Sequence, residues 1–234
     1  MDFNDREAGL SVHTPKGTAG KLRSILDAAA GRPSFPLHIR EVGDGDVALD
    51  RPAYEVRGFE TDHNTRSIGY TLVEDERKGR FDRERAEELG VPVGPKFQRL
   101  HAGEPVELDD GTVIKPEQVV GDPRPGRTMV YTGDTRPTDR TVEIAEQADL
   151  LIHDATFGND NEGRAGRTAH STAAEAAELG STADVKQLAL VHISSRYAGN
   201  VTKLEREARE HFDGREVFVP DDGETVSVPY HDVE

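Results

Sequence analysis

The 234 residues carry 45 acidic against 29 basic side chains, a net charge of −16, with 34% apolar residues and no cysteine, which bounds the chain to one sizeable domain or one domain with a projecting insertion. Without cysteine, disulfide scaffolds and thiolate zinc sites are excluded, so any metal must be held by histidine and carboxylate. No apolar run approaches the ~20 residues that span a bilayer and no signal peptide opens the chain, so a soluble, intracellular protein with no membrane partner is expected.

Met1 to Gly9 is polar and predicts no regular element. Leu10–His13 reads as a strand, and the Pro15-Lys16-Gly17-Thr18 turn leads into a helix over 19–30, with Leu22, Ile25 and Leu26 on one face. Phe35–Val42, Tyr54–Thr61 and Ile68–Val73 read as further strands, with His63 in the loop between the last two.

From Glu74 to Arg127 charges crowd together and prolines recur, which predicts a surface excursion with a poor core. Within it, 77–99 holds seven basic residues against four acidic ones, a local basic island suited to a polyanion. The blander reading is a solvated helix, Arg83–Leu89, followed by a loop.

After Arg127 strands and helices alternate. Helices are predicted over 138–147, 173–179 and 202–211, and Glu216–Val219 and Thr225–Val228 close the chain as strands. Three apolar runs end in side chains with acid–base or metal-binding chemistry: 128–133 before Asp134, 148–152 before His153-Asp154, and 187–191 before His192. In a layered α/β fold, strands that stop at one edge deliver their terminal side chains to one crevice. An Asp and a His arriving there suit zinc or manganese, which makes a metal-dependent hydrolase the leading expectation.

Gly133 lets the backbone turn tightly and aim Asp134 into the crevice; an ordinary turn aspartate is the competing reading. Ser194, Ser195 and Arg196 after His192 are residue types that hold phosphate oxygens. His170 precedes a capping box, Thr172 with Glu175, and so stands beside a helix N-terminus that attracts anions; a surface-loop histidine is the alternative. His63 alone is a weak signal. His13, His38, His101, His211 and His231 lack any comparable setting.

Taken in order, Thr61-Asp62-His63 with Ile68-Gly69-Tyr70, Gly94-Pro95 ahead of Leu100-His101-Ala102-Gly103, Gly133-Asp134-Thr135-Arg136, His153-Asp154-Ala155-Thr156-Phe157, His170-Ser171-Thr172 and His192-Ile193-Ser194-Ser195-Arg196-Tyr197 resemble the ribonuclease Z family. These are metallo-β-lactamase-fold endonucleases that mature the 3′ end of transfer RNA. The resemblance spans essentially the whole chain. It implies an αββα sandwich, two zinc ions per subunit, precursor tRNA as substrate, and a homodimer in the cytoplasm. It makes His63 a ligand of one zinc, Asp134 the bridging carboxylate, His192 a ligand of the second zinc, and His170 the histidine that assists at the scissile phosphate. The segment 74–127 becomes the arm that clamps tRNA, with Arg77, Lys78, Arg80, Gly94, Pro95 and Lys96 as its RNA contacts and Ser194 and Arg196 beside the active site. The family's His-x-His-x-Asp-His string is absent from these residues. The expectation is therefore a chain truncated at its N-terminus, which alone neither holds two zincs tightly nor cleaves RNA usefully. Two alternatives stand beside it: another hydrolase of the same fold, and a non-catalytic RNA-binding or subunit-interface remnant.

The excess of acid argues against RNA binding in dilute salt. With mostly arginine among the bases, it fits a high-salt organism, whose proteins stay hydrated through surface carboxylates. An acidic disordered chain is the weaker alternative, because periodic apolar segments recur.

Overall fold

The computed structural model describes residues 6–30 and 33–230; the first five residues of the polar opening segment, and His231, lie outside them. The chain divides into two compact units, one of residues 1–73 with 127–229 and one of residues 74–126 with the last five residues.

In the first unit, β1 (Leu10–Pro15) pairs in parallel with β2 (Leu37–Val42), and α1 (Ala19–Ala30) connects them. The remaining strands form one seven-stranded sheet: β3 (Val47–Arg51), β4 (Tyr54–Glu60), β5 (Ile68–Glu74), β8 (Thr128–Tyr131), β9 (Leu150–Asp154), β10 (Gln187–Val191) and β11 (Glu216–Phe218). Their spatial order is β11-β10-β9-β8-β5-β4-β3. From β8 to β11 neighbouring strands run parallel, whereas β5 meets β8 antiparallel. Helices α4 (Asp139–Ile144), α6 (Ala173–Thr182) and α7 (Thr202–Arg209) pack on this sheet, and α5 (Glu162–Thr168) precedes α6.

Burial explains the sequence of these elements. The central strands read as continuous apolar runs because both faces are covered; Leu151, Leu188 and Leu190 are fully buried. Helix α6 lays Ala173, Ala176 and Ala177 into the same core, and side chains that small let its backbone approach the sheet closely. Gly69 of β5 yields to an aromatic ring: a Cβ there would stand 2.4 Å from Phe59.

Several expectations need correction. Thr225–Val228 forms no strand; the segment has no sheet neighbour, and the Val228 carbonyl instead accepts from Arg127 Nη1 at 2.8 Å. Strand β3 and helix α5 were not foreseen. Helix α5 ends on Ala169 at φ +55°, a left-handed cap normally marked by glycine or asparagine.

The second unit also departs from expectation, because it has a core of its own. Ala86, Val91, Leu100, Val106, Ile114 and Val119 are buried together, with Phe81, Leu89 and Phe97 packed against them. They come from α2 (Arg83–Glu88), α3 (Pro95–Ala102), the β6–β7 hairpin (Val106–Glu107, Val113–Ile114) and the segments between. Gly94-Pro95 is the start of α3, with Gly94 as its N-cap and proline in the first turn, where its missing N–H costs nothing. Much of the basic island is ion-paired: Arg83 with Glu87, Arg85 with Glu88, Arg99 with Glu104 and Lys96 with Asp109. Arg77 lies 3.6 Å from the Tyr230 ring centroid.

Candidate metal centre

Parallel strands β8, β9 and β10 end at one edge of the sheet, and the site is built there. Gly133, at φ +64°, turns the chain just beyond β8 and presents Asp134. Strand β9 ends on Asp154 itself, and His192 follows β10 at φ +61°. His63 comes from the β4–β5 loop and His170 from the turn between α5 and α6.

The structure brings these side chains together. Asp134 Oδ2 lies 3.5 Å from His192 Nε2. The His170 ring stacks on His192, centroids 4.9 Å apart and planes at 15°, and tilts against His63, also at 4.9 Å. Donor atoms of His63, Asp134 and His170 lie within 4.8 Å of one another, as do those of Asp154, His170 and His192.

Hydrogen bonding fixes the tautomer of all three imidazoles. His63 Nδ1 lies 2.8 Å from the Ala169 carbonyl, which only accepts, so Nδ1 carries the proton. His170 Nδ1 donates to Asp154 Oδ2 at 2.7 Å. Thr156 spends its one hydroxyl proton on Asp154 Oδ1 at 2.7 Å, so it accepts from His192 Nδ1, also at 2.7 Å. Each ring thereby leaves Nε2 outside these hydrogen bonds, the arrangement by which histidines are oriented toward a metal or a proton-transfer partner.

Asp154 was visible in the sequence only as the end of an apolar run, and its role was missed. Its side chain is wholly buried. Beyond His170 and the Thr156 hydroxyl, it accepts from the backbone N–H groups of Thr135 at 3.0 Å and Thr156 at 2.8 Å. One carboxylate thus ties the loops after β8 and β9 to the His170 turn.

Thr135-Arg136 forms a second brace. Asp62 N–H donates to Thr135 Oγ1 at 3.0 Å and Arg136 N–H to the Asp62 carbonyl at 2.8 Å, which positions the His63 loop. Arg136 Nη1 donates to the His170 carbonyl at 2.6 Å and to Glu175 Oε2 at 2.8 Å. Burial pushes the Glu175 carboxyl up, but the hydrogen bonds from Arg136 and the Thr172 N–H outweigh it and hold the carboxyl below its ordinary value. Beneath the site, burial drives the fully enclosed His153 below its ordinary value, toward the neutral form; its Nε2 has no hydrogen-bond partner.

The other expected residues fall as follows. Ser194 and Arg196 lie in the turn after His192 and Ile193; Ser194 Oγ lies 3.4 Å from Arg196 Nη1, and Arg196 is exposed. Arg77, Lys78, Arg80, Gly94, Pro95 and Lys96 belong to the second unit. There Lys96 Nζ donates to the Glu107 carbonyl at 2.7 Å, while Lys78 is exposed. Within the second unit His101 Nε2 lies 3.2 Å from the Gly79 carbonyl, and in the first His211 pairs with Glu178 at 3.0 Å.

Imidazole lone pairs facing an aspartate at the C-terminal edge of such a sheet define a metal-binding hydrolase of the metallo-β-lactamase fold. A beta-lactamase superfamily domain profile matches residues 111–193. Ribonuclease Z of Natronomonas pharaonis is 68% identical over 99% of this chain and 75% of its own length; that of Haloferax volcanii is 58% identical over 99% and 73%. Human tRNase Z, short form, superposes with a TM-score of 0.59 at 18% identity, over 96% of this chain and 70% of its own. The chain belongs to the ribonuclease Z family.

Proposed function

We propose that the chain is a zinc-dependent endoribonuclease that removes the 3′ trailer of precursor tRNA and leaves a 3′-hydroxyl. The observation that carries this reading is the set of three imidazoles with tied Nδ1 and open Nε2 around Asp134, in a chain so close to ribonucleases Z. The residue types and tautomers fit divalent zinc, which His63, Asp134 and His192 would hold. The count is smaller than two ions require. These three side chains offer about four donor atoms, whereas two four-coordinate zincs need about eight. Divalent ions, when bound, supply Lewis-acid activation of water and stabilise charge on the phosphate.

The remaining chemistry belongs to the chain. To leave a 3′-hydroxyl, the P–O3′ bond must break and O3′ must gain a proton. His170 is placed to give it: Asp154 holds Nδ1–H, which fixes the ring and leaves Nε2 to pass the proton. Ser194 and Arg196 hold non-bridging phosphate oxygens. The arm, residues 74–127, binds the body of the tRNA through Arg77, Lys78, Arg80, Lys96 and the Gly94-Pro95 turn, and two chains form a homodimer. A cytoplasmic setting in molar salt suits the net charge of −16, because a Debye length of about 3 Å screens the acidic body from RNA.

The test is incubation of the purified chain with zinc and a precursor tRNA in molar KCl, with light scattering to follow dimerisation. The expected outcome is RNA binding with a shallow salt dependence and little turnover by this chain alone, such product as forms ending in a 3′-hydroxyl at the trailer junction. Absence of any affinity for precursor tRNA, or a product with a 3′-phosphate, would overturn the reading. The short donor count favours a second reading, an RNA-binding protein without turnover. Binding without cleavage even at saturating zinc would select it.

A further inference from the structure

Beside His63 opens a cavity of about 420 Å³, whose wall includes Lys16, Asn64, Thr65, Arg66 and Ser67. This volume falls in the range of small-molecule sites. We propose that it seats a nucleotide next to the cleaved bond, with a phosphate of the RNA strand against Arg66 and Lys16. The proposal rests on the ribonuclease reading and adds a subsite to it.

Arg66 carries the argument. Its Nη1 donates to the Lys16 carbonyl at 2.8 Å, and among the described residues no carboxylate lies within ion-pair distance of it. Glu41 acts on it only at longer range. The guanidinium is thus anchored by one amino group while its other N–H donors stay open, which pre-organises it for bidentate contact with phosphate. The chain makes room for it at Gly17: φ is +80°, and a Cβ there would stand 3.1 Å from Arg66 Nη1. In a protein of net charge −16, a guanidinium held across a turn with no described carboxylate in ion-pair distance is unusual.

The neighbouring groups suit the rest of a nucleotide. The side chains of Asn64 and Thr65 are exposed and, among the described residues, make no hydrogen bond, so an amide and a hydroxyl are open to a ribose or a base edge. Ser67 is already used: its Oγ accepts from Thr61 Oγ1 at 2.7 Å and shapes the wall. Lys16 is weaker than Arg66, because Asp46 neutralises it at 2.8 Å, and Glu60 on the same wall repels a second phosphate. One phosphate, with sugar and base alongside, matches this balance better than a di- or triphosphate. Because His63 belongs both to this wall and to the metal-binding cluster, the occupant is contiguous with the reacting phosphodiester.

The experiment titrates the full chain, in molar KCl, with adenosine 5′-monophosphate, inorganic phosphate and a short RNA that spans a tRNA–trailer junction. Binding is read by NMR shifts of the 63–67 amides and by fluorescence anisotropy. The nucleotide is expected to shift those amides and to bind more tightly than phosphate. Arg66→Ala should weaken nucleotide and junction RNA about tenfold, and Lys16→Ala by less. Circular dichroism should stay unchanged, since both side chains are exposed. Unchanged nucleotide affinity in Arg66→Ala would overturn the proposal. Equal affinity for phosphate and nucleotide would overturn it too, leaving only an anion site. If junction RNA binds elsewhere with undiminished affinity in Arg66→Ala, the subsite fails while the ribonuclease reading stands; if the nucleotide binds but no RNA does, it is the ribonuclease reading that fails.

Discussion

Asp134 and Asp154 stand at the ends of neighbouring parallel strands, yet the molecule uses them in opposite ways. The Asp154 side chain is wholly buried and accepts four hydrogen bonds, two from backbone N–H groups and two from Thr156 and His170. The Asp134 side chain is 41% exposed, and His192 Nε2 lies 3.5 Å from its Oδ2. The first carboxylate directs its oxygens to its own loops, whereas the second leaves its oxygens facing His192 and solvent. The same residue type at the same sheet edge is structural or functional according to whether backbone N–H groups converge on it.

The largest expected effect is Asp154→Ala. It strands two backbone N–H groups, a hydroxyl and an imidazole in a buried site, which should cost about 3–5 kcal/mol. The melting temperature should then fall by roughly 10 °C in a chain of this size. Asp134→Ala should stay within about 0.5 kcal/mol of the parent but lose zinc uptake, measured by elemental analysis. Equal stability losses in the two variants would erase the contrast. Next in size is Arg136→Met, which removes the ion-pair partner of Glu175 and frees the His170 carbonyl, at a cost of about 1–3 kcal/mol. Faster amide exchange should appear around residues 169–172 and in the 62–67 loop, since the Thr135-Arg136 segment braces both. Exchange confined to α6 would refute that coupling.

The contrast was only half legible in the sequence. Asp134 announces itself, because Gly133 must follow β8 at positive φ and the next side chain is thrust outward. His192 is equally plain after five apolar residues. Nothing local distinguishes Asp154 from a turn aspartate: its partners Thr135 and His170 lie 19 and 16 residues away, and only the parallel β8–β9 pairing delivers the first of them. Arg136 is hidden for the same reason, its carboxylate being 39 residues on. The strands were readable because burial on both faces writes itself as apolar runs. The core of the second unit was not, because its apolar residues are spread over short elements among charges: Leu100, Val106, Ile114 and Val119 meet only in three dimensions.

Acid should expose the buried side of the site before the exposed one. Burial keeps His153 neutral, with its folded-state pKa below the ordinary 6.5. The unfolded chain therefore takes up a proton there that the folded chain refuses, and stability falls as pH drops below about 6.5. Glu175 adds a second loss at lower pH. Its folded pKa lies below the ordinary 4.5, so its contribution is complete above that value and disappears as pH falls through the folded one. Urea unfolding at pH 7, 5.5 and 4 should show this progressive loss, and His153→Gln should flatten the first step while leaving the second. An unaltered first step in His153→Gln would assign the loss to other groups.

A further expected change has the opposite sign. Ala169 sits at φ +55°, where an L side chain costs roughly 1–2 kcal/mol, and its carbonyl is the one that fixes the His63 tautomer. Ala169→Gly relieves that strain but gives the unfolded chain more freedom, so a net gain of about 0.5–1 kcal/mol is expected, read as a rise of a few degrees in melting temperature. If instead the variant is less stable, the helical cap is held by the methyl group's packing rather than strained by it. The left-handed turn that aims the Ala169 carbonyl at His63 would then be part of the buried scaffold that Asp154 organises.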